Sequence, residues 1–291
     1  MKRITGILLI AISAASFGTL AIFGRYAYAA GMDTFTVLFL RFSIAAVLMG
    51  ILLVARREPL PKGRVLGQLI GMGALGYVGQ SFMYLTAINY ASAGLVALLL
   101  YLYPFFVMIL SVLVFHEKIT SVKGISLALA LIGTALTVDP SGGHILGALM
   151  AIAAALIYSV YIIVGTNVMK HVSAVQSSTV IFASAGVVFG LITAVNGAHF
   201  PTTNSGWFAM GSIVLVATVI PVVTFLAGLD RVGPTNASML STLEPVVTVF
   251  LAAWLFQERL TVIALLGGGL ILIAVIMLTH NELKEIKPAE I

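Results

Sequence analysis

Residues 100–120 read LYLYPFFVMILSVLVFHEKIT, and residues 242–261 read TLEPVVTVFLAAWLFQERLT. A gapless shift of 141 lays one on the other: Leu102, Pro104, Leu110, Phe115, Glu117 and Thr120 recur as Leu243, Pro245, Leu251, Phe256, Glu258 and Thr261. Leucine and phenylalanine coincide cheaply between apolar helices. The weight therefore rests on a proline and a glutamate thirteen residues apart, with a threonine three further on, in both copies. The same shift carries Gly6 onto Gly147, Ala14 onto Ala155, Ile22 onto Ile163 and Gly24 onto Gly165, so the repeat spans both halves.

Both copies are almost free of charge. Only 9% of the 291 residues are Asp, Glu, Lys or Arg and 60% are hydrophobic, whereas a soluble domain carries roughly 25% charge. With a mean hydropathy of +1.14, the chain reads as an all-α membrane protein. Soluble enzymes and nucleic-acid binders are set aside. The net charge of +5 comes from bases scattered at the ends of apolar stretches, which is a mark of topology rather than of a polyanion partner. No cysteine is present, excluding disulfides and thiol chemistry.

A bilayer crossing takes about 20 mostly apolar residues. The pattern predicts ten transmembrane helices, near 4–25, 34–55, 65–89, 93–115, 120–138, 144–168, 174–195, 206–229, 234–256 and 262–280. They form a first five-helix unit over 4–138, a second over 144–280, and a short cytoplasmic tail over 281–291. Met1-Lys2-Arg3 before Ile4 mimics a signal peptide, but the apolar run continues through Phe23 and has an internal counterpart, so it is expected to stay in the mature protein. Five crossings per copy make the second copy enter from the opposite side. The expected fold is thus two inverted five-helix repeats, a symmetry used for alternating access to a site between repeats. With both termini cytoplasmic, twelve of the fifteen Lys and Arg residues fall inside, as the positive-inside rule requires.

The two quoted stretches, together with Phe39-Leu40-Arg41-Phe42, resemble the EamA-type carriers of the drug/metabolite transporter superfamily. The resemblance runs from about Gly6 to Leu278; the chain resembles the amino-acid and metabolite exporters of bacteria, similar to the aromatic amino-acid exporter branch, which implies an inner-membrane location. It implies a ten-helix inverted-repeat carrier and a central cavity lined mainly by helices 1, 3, 4, 6, 8 and 9. Helices 5 and 10 would be peripheral.

Glu244 lies about ten residues into the ninth helix, roughly 15 Å deep at 1.5 Å per residue. A carboxylate at that depth is costly, so two roles stand open: a proton-linked or amine-binding group, or an acid bonding a neighbouring helix. Its repeat mate is Tyr103. Arg41 sits about seven residues below the end of the second helix, where it can snorkel, pair structurally or meet a substrate carboxylate. Pro104, Pro221 and Pro245 each remove a backbone donor, marking candidate bends or gates; simple kinks are the alternative. Tyr77, Gln80, Ser81 and Tyr84 share one face of the third helix, and Tyr158 and Tyr161 one face of the sixth. With Tyr101, Ser238, Ser241, Thr242 and Thr248 they make a candidate cavity of rings and hydroxyls, unless they serve as interhelical glue. Glu117 and Glu258 precede Thr120 and Thr261, natural N-caps. Gly267-Gly268-Gly269 suits close helix packing or self-association.

The expected function is a secondary transporter, an exporter of amino acids or similar uncharged or zwitterionic compounds. A nucleotide-sugar or sugar-phosphate carrier is the alternative within that class, weakened by the few bases inside the helices. An intramembrane enzyme or a non-catalytic scaffold is the alternative outside it; the chain is expected not to be an enzyme, since no paired acid and base or metal cluster is readable. Expected partners are a small-molecule substrate and the lipid bilayer. No nucleic acid, cofactor or metal is expected. Proton coupling stays open, as do the monomer and the homodimer.

Overall fold

The computed structural model describes residues 2–91, 93–137, 144–257 and 261–284, and every long element among them is a helix. The expected turn at Asp139 to Gly143, the capping role of Glu258 and most of the 281–291 tail lie outside the described residues.

The first half runs α1 (Lys2–Phe17), α2 (Leu20–Ala29), α3 (Thr34–Ala55), α4 (Gly63–Gly71), a π-helical segment (Met72–Tyr77), α5 (Val78–Ile88), α6 (Ala93–Leu100), α7 (Tyr103–Phe115) and α8 (Ser121–Thr137). The second half runs α9 (Ile145–Val168), α10 (Ala174–Asn196), α11 (Asn204–Val214), a second π segment (Leu215–Val219), α12 (Ile220–Val232), α13 (Pro234–Leu240), α14 (Leu243–Phe256) and α15 (Val262–Lys284). Among the described residues eight stretches are long and apolar enough to cross a bilayer: Arg3–Ala29, Thr34–Ala55, Leu95–Phe115, Ile145–Val168, Ala174–Asn196, Asn204–Val232, Pro234–Phe256 and Val262–Asn281. The third and fifth expected crossings are not among them. Glycine and glutamine dilute the stretch from Gly63 to Ile88, and Ser121–Leu136 is short.

Local signals explain the ends. Asp33 caps α3, accepting from the Phe35 and Thr36 amides at 2.8 and 3.1 Å, and Ser173 with Gln176 forms a capping box on α10. His116 and Gln257, one repeat apart, close α7 and α14 in the left-handed conformation at φ 53° and 57°. Burial acts to raise the Asp33 carboxyl, but hydrogen bonds from Thr36, His199 and Phe35 outweigh it and hold the group below the usual range.

The most extensive packing joins α3 to α10, α8 to α15, α1 to α12 and α5 to α9, in every case one half to the other. The 141-residue shift carries α3 onto α10 and α8 onto α15, and exchanges the α1/α12 pair with α9/α5. Glycine permits the closest of these contacts. A Cβ on Gly133 of α8 would stand 2.6 Å from the Gly267 carbonyl of α15, so the glycine run of the last helix serves packing within this chain. The α3/α10 pair is clasped at both ends. At one, His199 meets Asp33 at 3.0 Å; at the other, Ser173 meets Glu58 and Gln176 donates to the Pro59 carbonyl at 2.7 Å. Phe42, Phe182 and Phe189 fill the interior between them. The outside is apolar, with Val54 and Phe208 each 76% exposed, a surface suited to lipid.

Candidate functional site

Three helix breaks shape the centre. The first lies at Gly18 and Thr19, the second at Tyr101 and Leu102 just before Pro104, and the third at Ser241 and Thr242 just before Pro245. Proline lacks the amide that would continue the preceding turn, so the chain re-enters helix with Tyr103 and Glu244 in the first turns of α7 and α14. The Gly18 carbonyl, released at its break, accepts from the Thr248 hydroxyl at 3.0 Å. Pro221 falls at the start of α12, directly after the second π segment.

Between the halves lies a cavity of about 590 Å³. Tyr77, Gln80, Ser81, Tyr84, Tyr101, Tyr158, Arg41, Glu244 and Pro245 line it. So do Phe17, Tyr28, Thr34 and Tyr103, which were not among the expected lining residues. Its lining reaches Gly24, Tyr28 and Thr34, beside the connection at 30–33. Toward the chain termini the same helices close: Ile10, Met49, Leu53 and Leu69 are buried. There Ser13 donates to the Pro221 carbonyl at 2.8 Å, and Glu117 accepts from Thr235 at 2.7 Å and Lys123 at 2.8 Å. Glu117 thus ties the two halves together rather than merely favouring a helix start.

Four expected lining residues stand elsewhere, Ser238 being fully buried with its hydroxyl on the Thr235 carbonyl at 2.9 Å. Ser241 and Thr242 turn their hydroxyls back to the Ala237 and Met239 carbonyls, at 2.9 and 2.6 Å, because the break frees acceptors there. Tyr161 stands behind the lining, its ring 5.5 Å from Tyr77 and 5.9 Å from Tyr158, and sets their orientation. Tyr103 packs edge-on to Tyr158 at 4.8 Å. Pro104 and Pro221 act on the backbone and do not face the cavity.

Arg41 does not snorkel. It is 6% exposed, its Nε donating to the Thr218 hydroxyl at 2.6 Å and its Nη2 to the Ala217 carbonyl at 3.1 Å. Both acceptors lie in the second π segment, so the planar fork of the guanidinium pins α3 to the other half. Arg41→Leu is expected to destabilise the protein by roughly 1–3 kcal/mol, since the Ala217 carbonyl is left buried without that donor. Arg41→Lys, which reaches one acceptor, should fall between it and wild type. Thermal melts in detergent decide this; equal melting of all three removes the anchor role. Glu244 is different: its side chain is part-exposed to the cavity, and among the described residues no hydrogen bond or ion pair reaches its carboxylate.

The EamA-like transporter family model matches residues 4–139 and 145–280. The uncharacterized transporter YcbK of Bacillus subtilis is 25% identical over 96% of this chain and 94% of its own length. The uncharacterized inner membrane transporter YedA of Escherichia coli is 25% identical over 83% of this chain and 80% of its own. A probable amino-acid metabolite efflux pump of Salmonella typhimurium is 32% identical over 70% of this chain and 73% of its own. One crystal structure, at 20% identity, superposes with a TM-score of 0.84 over 98% of this chain and 100% of that one, and speaks for the fold alone. Matched in both halves, the chain belongs to the EamA-like transporter family and is a multi-pass membrane transporter.

Proposed function

We propose that the chain exports amino acids or similar uncharged or zwitterionic metabolites from the cytoplasm by alternating access. The observation that carries this is the cavity between the two halves, open toward one end of the bundle and closed toward the other. In this reading residues 4–138 and 144–280 are inverted repeats of five crossings each, with both termini cytoplasmic. The exchange of helix pairs under the 141-residue shift supports a two-fold relation. The charge distribution supports the orientation, which makes the described state open to the outside. Among the described residues one guanidinium lines the cavity, its Nε and Nη2 already bonded, and this disfavours sugar phosphates and nucleotide sugars, which call for several bases. The name of the Salmonella relative points the same way for substrate.

Counterflow in proteoliposomes tests this. Vesicles loaded with unlabelled amino acids are expected to take up labelled amino acid transiently and saturably, while vesicles loaded with a nucleotide sugar do not. Exchange of the nucleotide sugar instead would transfer the protein to the rival class. An imposed pH gradient distinguishes proton coupling, which drives accumulation above equilibrium, from facilitated diffusion, which only equilibrates.

A further inference from the structure

We infer that the cavity recognises its substrate through a protonated amine, held by Glu244 within a ring of tyrosines, and that a substrate carboxylate is not required. The inference rests on the transport reading above and narrows its substrate class.

Glu244 brings an unpartnered carboxylate to the cavity from the first turn of α14. The amides of a helix N-terminus favour a negative charge there, and the carboxylate oxygens are left for a ligand. Tyr77, Tyr84, Tyr101, Tyr103 and Tyr158 share the same space. Aromatic faces are electron-rich and attract ammonium groups, and their hydroxyls accept N–H bonds. Carboxylate and rings thus ask for the same thing.

Among the described residues the one base on the cavity wall is Arg41, and it is mostly engaged. Its Nε and Nη2 are bound to Thr218 and Ala217, and it is 6% exposed. It stands near Glu244 with its Nε–Nη2 edge spent on the second π segment, which leaves little of the guanidinium facing the cavity. The shift of 141 makes the same point: Glu244 replaces Tyr103, and Arg41 stands where the other half has Phe182. Each half adds one charge to a common frame, and only the acid is left open. Phe17, Leu38, Leu85 and Val249 complete an apolar wall, so the remainder of the ligand is apolar. The class is primary amines with an apolar body, amino acids and their amides alike.

Three probes of nearly one shape separate the possibilities in wild-type proteoliposomes: phenylalanine, a zwitterion; phenylalanine amide, a cation; and N-acetylphenylalanine, an anion. Counterflow of labelled phenylalanine amide is expected to match or exceed that of phenylalanine, and N-acetylphenylalanine should give none. Glu244→Gln should raise the half-saturating amide concentration at least tenfold, with Glu244→Asp recovering part of the loss. Exchange of N-acetylphenylalanine, or of a nucleotide sugar, without the amide keeps transport and overturns amine recognition. Unchanged half-saturation in a folded Glu244→Gln variant overturns the role of Glu244. Absence of exchange with every probe overturns the transport reading as well.

Discussion

Gly73→Ala is expected to abolish most of the correctly folded protein, whereas Gly71→Ala, two residues away, leaves it intact. A Cβ on Gly73 would stand 2.0 Å from the Ser184 hydroxyl and 2.3 Å from the Ile181 carbonyl, while one on Gly71 meets nothing within 4 Å. The hydroxyl can rotate away. The carbonyl belongs to the backbone of α10 and moves only with that helix, which is clasped to α3 at both ends. Overpacking of this kind typically costs about 1–3 kcal/mol and sometimes more, and here the displaced partner is a whole helix. Gly71→Ala is expected to be neutral or slightly stabilising, because glycine costs a helix interior roughly 0.5–1 kcal/mol relative to alanine. Monodispersity and melting of the two variants in detergent give the answer. If they melt alike, the contact of the first π segment with α10 is not as close as described.

Glu117→Ala is expected to open the closed end of the bundle. The carboxylate joins the loop after α7 to α13 through Thr235 and also holds Lys123, and hydrogen bonds to a charged group contribute about 1.5–3 kcal/mol each. Loss of even 1.4 kcal/mol moves the balance between closed and open forms tenfold. The chain contains no cysteine, so one introduced at Ser238, fully buried at this end, reports directly. Its reaction with a membrane-permeant maleimide should accelerate about tenfold in the Glu117→Ala background. An unchanged rate in a folded variant would show that the end is closed by packing alone.

The contrast between these two positions shows what is legible in sequence. Pro104 and Pro245 announce the breaks before α7 and α14, because a missing amide is a local property. The tyrosine stripe on the third helix points to the cavity wall, because a face of rings on a glycine-rich helix is visible by spacing. The π segments have no such signal. Leu-Val-Ala-Thr-Val at 215–219 reads as ordinary apolar helix, and its widened π-helical turn is accompanied by tertiary contacts such as the Arg41 bonds to Ala217 and Thr218. Nor does sequence show that Ser241 and Thr242 turn toward their own backbone, since that depends on carbonyls freed only once the helix has broken. Glu117 looks like a capping acid for the same reason: its partner Thr235 is 118 residues away.

The tyrosine-lined cavity has an optical consequence. The two tryptophans, Trp207 and Trp254, are 49% and 65% exposed on the outside of the bundle, where an indole senses the acyl chains. The interior is therefore dark at the wavelengths that excite tryptophan alone. A single tryptophan placed at Phe17 would emit from within the cavity, and its quenching or blue shift would follow the arrival of a ligand and the expulsion of water. With the native pair replaced by phenylalanine, that signal would come from the cavity alone; with the pair intact and Phe17 unchanged, the emission would track bilayer composition.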